Sequence, residues 1–278
     1  MLPAYLVREA VQRALAEDIG RGDITTDALI GGGVATCGRL MAREAGIVAG
    51  MDLAEAAFRG VDPAIVFDRL ISDGDRVAGG DVIARISGSA RALLSAERVA
   101  LNFMTHMSGI ATLTGRYVAA IAGSGARIVD TRKTLPGLRV FEKYAVRMGG
   151  GANHRFALDD AAMIKDNHVV AAGGIGQAIR QVRAATGHMV KICCEVDRID
   201  QIEEALAAGV DVLLLDNMTP HVLAEAVRLI AGRATAEASG KVSLDNVAAI
   251  AASGVDVISV GKLTHSAPAL DIALDFDE

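Results

Sequence analysis

The chain has little of what usually anchors a large core or a covalent framework. Tryptophan is absent, and six phenylalanines and three tyrosines leave aromatics at 3% of 278 residues. Hydrophobic residues still make up 51%, so Ala, Val, Ile and Leu must fill a sizeable interior. Three cysteines, Cys37, Cys193 and Cys194, are too few for a disulfide framework. The adjacent pair would point to opposite faces of a strand. Positive charge is scarce too: 28 Lys and Arg against 34 Asp and Glu give a net charge of -6. That balance argues against a general nucleic-acid binder, which would show a basic face. Any anion handled here must meet a local positive pocket. No apolar run approaches the ~18 residues a membrane helix needs. Met1 to Gly20 carries Arg8, Glu9, Arg13, Glu17 and Asp18 at helical intervals, which argues against a secretory signal. The expectation is a cytosolic protein with neither a membrane nor a nucleic-acid partner.

What is present falls into two patterns. A first helix reads Leu2 to Ala16, with Gly20 as its stop. Two strand-like runs, "VATCGRLMAR" and "AGIVAG", precede a short helix around Leu53 to Phe58. "DGDRVAGGDVIARISG" then has the glycine punctuation of a hairpin. It resembles a biotinyl or lipoyl carrier module, but such modules need a modified lysine and the first lysine here is Lys133. A long helical region follows from Ser95, taken as its N-cap, toward Ile121. Beyond it, short β-branched runs alternate with Ala-rich stretches: "ARIVDT", "AAMIKDN", "MVKICCEVD", "VDVLLLDN", "RATAEASG" and "VDVISVG". That alternation predicts parallel strands. Lys165, Glu195, Asp216, Ser239 and Gly261 sit at strand C-terminal ends, separated by 30, 21, 23 and 22 residues. This is the spacing of βα units in a barrel, whose strand C-terminal ends form the rim that carries chemistry.

The rim candidates are mostly cations. From Arg127 to Lys165 there are eight Lys or Arg residues against four Asp or Glu. Arg139, Lys143 and Arg147 read as the solvated face of a helix whose apolar stripe is Phe141, Tyr144, Ala145 and Met148, with Gly149 as stop. Arg132, Lys133, His154, Arg155 and Lys165 fall instead at strand ends or in loops. Arginine forks grip carboxylate or phosphate in two places, while lysine acts as a point charge. Together they predict a substrate with several negative charges. Glu195 and Asp216 end otherwise apolar strands, where a carboxylate must be paired, metal-bound or solvated. They suit a hydroxyl-bearing ligand with a hard cation such as Mg²⁺, or else an ion pair with Lys165 or Lys133.

Several motifs are missing. Gly240-Lys241 and Gly261-Lys262 lack the spacing and hydroxyl partner of a phosphate loop, and "GGGANHR" is not GxGxxG. Those glycines read as backbone turning sharply or approaching a ligand. His154 and His168 have no HExxH or Cys partners for zinc. Cys193 reads as a buried barrel cysteine and not a nucleophile.

"DTRKTLPGLRVFEKYAVRMGGGANHR", "MIKDNH", "EVD", "LLLDNM", "EASG" and "VDVISVGKLTHS", with "EDIGRGDITT" and "LSAERVALNFMTHMSGIAT" before them, resemble the quinolinate phosphoribosyltransferase family. The likeness is collinear over nearly the whole chain. It implies an open α/β barrel with a mixed α/β N-terminal sandwich: residues 1–105, joined by about 267–278, and a barrel over 106–266. It implies transfer of phosphoribosyl from phosphoribosyl pyrophosphate to quinolinate with loss of CO₂, using Mg²⁺ and no organic cofactor. By the same likeness Arg132, His154, Arg155 and Lys165 hold quinolinate carboxylates, and Thr131 and Lys133 serve the substrates. Glu195 and Asp216 hold ribose hydroxyls and Mg²⁺, directly or indirectly. Ser239, Gly240 and Gly261 contact the ribose phosphate, with His265 close behind. Arg98 reaches a neighbouring subunit's site, which implies a homodimer, or a higher oligomer, with shared sites. Cys193 stands where the family often has an acid, Met148 where it commonly has cysteine, and Lys262 where it has a small residue. The rival readings are a molybdenum-transport-associated paralogue, a Schiff-base lyase or isomerase acting through Lys165, and a purely structural role that would leave the rim charges unexplained.

Overall fold

A computed structural model describes residues 1–277, which form two compact units. The first comprises 1–115, 135–150 and 266–277; the second comprises 116–134 and 151–265.

The first unit contains α1 (Ala4–Ile19), α2 (Ile24–Leu29), β1 (Ala35–Ala42), β2 (Gly46–Ile47), α3 (Met51–Val61), β3 (Val66–Arg69), β4 (Arg76–Val77) and β5 (Val82–Ser89). Most of α4 (Ala90–Ala120) belongs to it, and α5 (Arg139–Met148) and β12 (Ile272–Phe276) complete it. Its main sheet runs β12-β1-β5-β3, all antiparallel. Leu40, Ile83, Phe58, Leu93, Met104 and Met107 are fully buried. Aromatics are spent sparingly, as in the edge contact of Phe103 with Phe141 at 6.3 Å. Small residues and methionine do the rest.

Three expectations fail here, each for a local reason. The glycine-rich stretch is not a hairpin, because β4 pairs with β2 while β5 pairs with β1 and β3. Ser95 is not an N-cap. The helix already runs from Ala90, since Ala90-Arg91-Ala92-Leu93-Leu94 are good helix formers, and the Ser95 hydroxyl donates to Asp23 Oδ2 at 3.3 Å. Lys143 is not on a solvated face: it is fully buried, as is Glu142, while Arg147 is exposed as expected. The stripe of α5 is therefore wider than its apolar residues suggest. This helix, placed by its sequence within 106–266, counts with the first unit.

The second unit is the alternating α/β part. Its strands are β6 (Arg127–Val129), β7 (Ala162–Ile164), β8 (Ile192–Val196), β9 (Val212–Asp216), β10 (Thr235–Ser239) and β11 (Val257–Ser259). Between them lie α6 (Asp166–Ala172), α7 (Ile175–Ala185), α8 (Ile202–Ala207), α9 (Pro220–Ile230) and α10 (Val247–Ala252), and α11 (Lys262–His265) follows. The strands form one parallel sheet, ordered β6-β11-β10-β9-β8-β7. Its edge strands β6 and β7 do not pair, so the barrel is open, as expected. Strands covered on both faces need near-continuous apolar runs, and β9 shows one in Leu213, Leu214 and Leu215. In register, Ser239 faces Asp216, so polar strand ends align along one rim. Among the described residues no helix is long and apolar enough to cross a membrane.

The triple glycine has a packing cause at its first member. A Cβ on Gly149 would lie 2.6 Å from Thr114 Cβ and press into the Ala111 carbonyl oxygen, while Gly150 is left-handed at φ 85°. Gly149→Ala should therefore lower unfolding free energy by about 2–3 kcal/mol, the upper range for overpacking. Urea denaturation checks this, and a cost under about 0.5 kcal/mol would mean that α4 yields easily.

Candidate active site at the barrel rim

The cavity at the C-terminal ends of the barrel strands has a volume of about 580 Å³. Its construction starts from a buried charge. Asp130, fully buried just past β6, accepts from His154 N at 3.0 Å and from Asn153 Nδ2 at 2.5 Å. One carboxylate thus ties "DTRKT" to "NHR", and the two cation clusters of the sequence become neighbours. Thr131 Oγ1 accepts from Lys133 N at 3.0 Å, and Thr264 Oγ1 donates to Lys133 O at 2.7 Å. The lysine's backbone is therefore held on both sides.

His154 is oriented by its own loop. Its Nδ1 accepts from Arg155 N at 2.7 Å, which leaves Nε2 to carry the proton, 3.4 Å from Glu237 Oε1. Arg155 donates from Nη1 to Ala161 O at 2.9 Å. Burial, then the neighbouring Arg132 charge, pulls its pKa below the usual guanidinium value. Two guanidinium groups set this close are favourable hosts for carboxylates.

The middle of the cavity pairs charges. Lys165 Nζ donates to Glu195 Oε2 at 2.9 Å. Asp216, at the end of the adjacent β9, accepts from Asn217 Nδ2 at 2.5 Å. Burial, then the Glu195 charge, raises the Asp216 pKa, against the pull of Asn217, Lys165 and Lys133. Among the described residues no group of three or more His, Cys, Asp or Glu side chains is placed to hold a metal. Glu195 and Asp216 are nonetheless two hard oxygen donors with a partly uncompensated mutual repulsion. That fits a Mg²⁺ whose remaining ligands come from phosphates and water.

At β10 the backbone comes forward. Gly240 has φ 92°, and a Cβ there would collide with the Asn217 side chain. Asn217, itself at φ 53°, donates its N–H to Ser239 O at 2.9 Å.

The cavity wall includes Thr131, Arg132, Lys133, His154, Arg155, Lys165, Glu195, Asp216, Ser239 and Gly240, all proposed from sequence. Gly261 and His265 stand just behind: a Cβ on Gly261 would lie 3.1 Å from Lys133 Cδ and 3.4 Å from His265 Nε2. Arg98, exposed on α4 in the other unit, is not part of the wall. Glu237, Asn217, Lys241, Met163, Leu214 and Ser259 also line the cavity, and sequence reasoning had passed them over. Glu237 carried a usable signal, because it lies two residues before Ser239 and so shares its strand face. His168 has a capping role, its Nδ1 accepting from Lys165 N at 3.0 Å. Cys193 is buried, and burial, then Glu237, pushes its thiol pKa up, which suits an inert cysteine.

Comparison with known proteins identifies the family of the whole chain. The N-terminal domain of quinolinate phosphoribosyl transferase matches residues 23–108 and the C-terminal domain matches residues 110–275. The nicotinate-nucleotide pyrophosphorylase [carboxylating] of Mycobacterium leprae is 46% identical, covering 96% of each chain. A probable enzyme of the same description from Synechocystis is 44% identical over 98% of this chain and 94% of its own. The crystal structure of NadC from Streptococcus pyogenes superposes with a TM-score of 0.96 at 41% identity, covering 100% of this chain and 99% of its own. The fold, the motif-bearing rim and these full-length likenesses make the chain a member of the quinolinate phosphoribosyltransferase family.

Proposed function

We propose that the chain transfers the phosphoribosyl group of phosphoribosyl pyrophosphate to quinolinate, giving nicotinate mononucleotide, pyrophosphate and CO₂. The observation that carries this reading is the sorting of one cavity into three chemistries. Arg132, His154, Arg155 and Lys165 form a cation-rich end, Glu195 and Asp216 a carboxylate pair, and Ser239 with Gly240 a hydroxyl-and-backbone end. A pyridine dicarboxylate, a ribose with its leaving group, and a phosphate need those three in turn.

Each step follows from positioning and charge. Arg132 and Arg155 hold the two carboxylates, with the His154 Nε2–H as a further donor, and Met163 and Leu214 offer apolar surface to the ring. The ring nitrogen's lone pair forms a bond to the anomeric carbon while the carbon–oxygen bond to pyrophosphate breaks and its electron pair leaves with oxygen. Glu195 and Asp216 orient the ribose hydroxyls and lie where positive charge develops on the sugar. Mg²⁺, held by these two carboxylates, would neutralise leaving-group charge. The glycosylated nitrogen then draws electrons: the carbon–carboxylate bond beside it breaks, CO₂ departs, and that carbon takes up a proton. Lys165 Nζ is already engaged with Glu195 Oε2 at 2.9 Å, a geometry suited to holding an anion beside it and not to free nucleophilic attack, which weighs against Schiff-base chemistry. The family resemblance gives Arg98 to a neighbouring subunit's site in a homodimer, and its exposure on α4 leaves it accessible for that role.

The direct test is product formation from quinolinate, phosphoribosyl pyrophosphate and Mg²⁺, with nicotinate as a parallel substrate. Nicotinate mononucleotide from quinolinate alone is expected; turnover of nicotinate only would discard the second carboxylate subsite. Arg132→Ala and Lys165→Ala should each lose a charge-assisted contact worth about 1.5–3 kcal/mol, or about 10- to 150-fold in kcat/KM. A folded variant with near-wild-type kinetics would take that residue out of the site. Mixing inactive Arg98→Ala and Lys165→Ala protomers should restore activity, because one composite site per mixed dimer would be intact. No recovery despite verified subunit exchange would sink the shared-site reading.

A further inference from the structure

We propose that Lys241 is a specificity-determining residue of the rim cavity, its ammonium gripping the phosphate monoester of the ribosyl ligand at the β10 end. This deepens the phosphoribosyl reading and rests on it.

The inference begins with a backbone outlier. Among the described residues three non-glycine residues have positive φ: Asn217 at 53°, Ala231 at 47° and Lys241 at 50°. Two have ordinary causes. Ala231 is the C-cap of α9, its N–H bonded to Val227 O, and helices commonly end in this conformation. Asn217 is of a type that tolerates it, and its side chain is anchored on Asp216. Lys241 ends no helix, and its long side chain gains nothing locally from the left-handed conformation. Such strain persists where surrounding structure and function hold it.

Its surroundings say what it serves. Lys241 is exposed and lines the cavity beside Ser239 and Gly240. Glu195, Asp216 and Glu237 line the same cavity, yet Lys241 forms a salt bridge with none of them. The loop is pinned from behind, with Asn246 Nδ2 donating to Lys241 O at 3.0 Å. The backbone N–H groups of Gly240 and Lys241 donate to no acceptor among the described residues. The β10 end therefore presents donors: a hydroxyl, two N–H groups and an ammonium. A donor-only loop takes a bare dianion. Pyrophosphate, which travels with a divalent cation, belongs nearer Glu195 and Asp216. The monoester, shared by substrate and product, is what remains for Lys241.

Lys241→Gly tests this, because a structural role and a ligand role move its readouts in opposite directions. Glycine adopts positive φ freely, so Tm should hold or rise. The KM for phosphoribosyl pyrophosphate should rise about 10-fold, the lower range for a charge-assisted contact. The inhibition constant of nicotinate mononucleotide should rise by the same factor. The KM for quinolinate and inhibition by inorganic pyrophosphate should not move, and Lys241→Arg should restore the wild-type values. An unchanged KM for phosphoribosyl pyrophosphate would overturn the proposal, as would an effect confined to pyrophosphate or to quinolinate, or a fall in Tm. If the wild-type protein turned over neither substrate pair, the functional reading would fail by itself. Calorimetric binding of ribose 5-phosphate to wild type and Lys241→Gly would then decide the lysine's role separately, with equal affinities counting against it.

Discussion

The Asp130 carboxylate is the constraint on which the site depends. It is fully buried, and a buried charge is tolerated only when its oxygens are hydrogen-bonded. Here those bonds are made to Asn153 and the backbone of His154. Meeting the needs of one anion therefore fixes the distance between two loops that are separated in sequence. One carries Arg132 and Lys133, the other His154 and Arg155. Without that tie, two clusters of like charge would repel, and neither loop has strand pairing of its own to hold it beyond the single bridge of Val129 with Ala152.

The parallel sheet supplies the rest of the frame. Because Ser239 is in register with Asp216, while Glu195 and Glu237 are both in register with Leu214 two residues earlier, polar side chains on successive strands emerge at two adjacent levels of one strand face. Helices cannot reach this rim with equal precision, so chemistry is carried on strand ends and the loops after them. Glycines then decide where backbone replaces side chain. At Gly240 the space a Cβ would need is taken by Asn217, whose own side chain steadies Asp216. The β10 end of the cavity and its carboxylate pair are thus built against each other.

How much of this was legible follows from the range of the forces involved. Strand ends were readable because βα spacing is periodic, and the cations of "DTRKT" and "NHR" because they break an acidic background. Glu237 could be found only through Ser239, two residues on along the same strand face, since a single acid in "TAEAS" does not stand out by itself. Lys143 was misjudged because charge was taken as a sign of solvent, whereas burial is set by what packs on α5. The missed start of α4 was a contest between a capping preference at Ser95 and helix propensity before it, which propensity won. The false hairpin arose because turn signals mark where a chain bends but not which strand it then joins.

The charge count of the cavity explains how an acidic protein selects anions. Five cations, Arg132, Lys133, Arg155, Lys165 and Lys241, share the wall with three carboxylates, Glu195, Asp216 and Glu237. The local excess is small, so the pocket is not a general anion sink of the kind a basic face creates. An anion gains fully only if it meets the cations while presenting hydroxyls, or a cation of its own, to the carboxylates. A simple phosphate or dicarboxylate satisfies one end and leaves the other side's charges facing it. Two ligands that together carry carboxylates, hydroxyls and phosphates satisfy both. Selectivity then comes from the arrangement of opposite charges, and the overall charge of -6 keeps unrelated polyanions away.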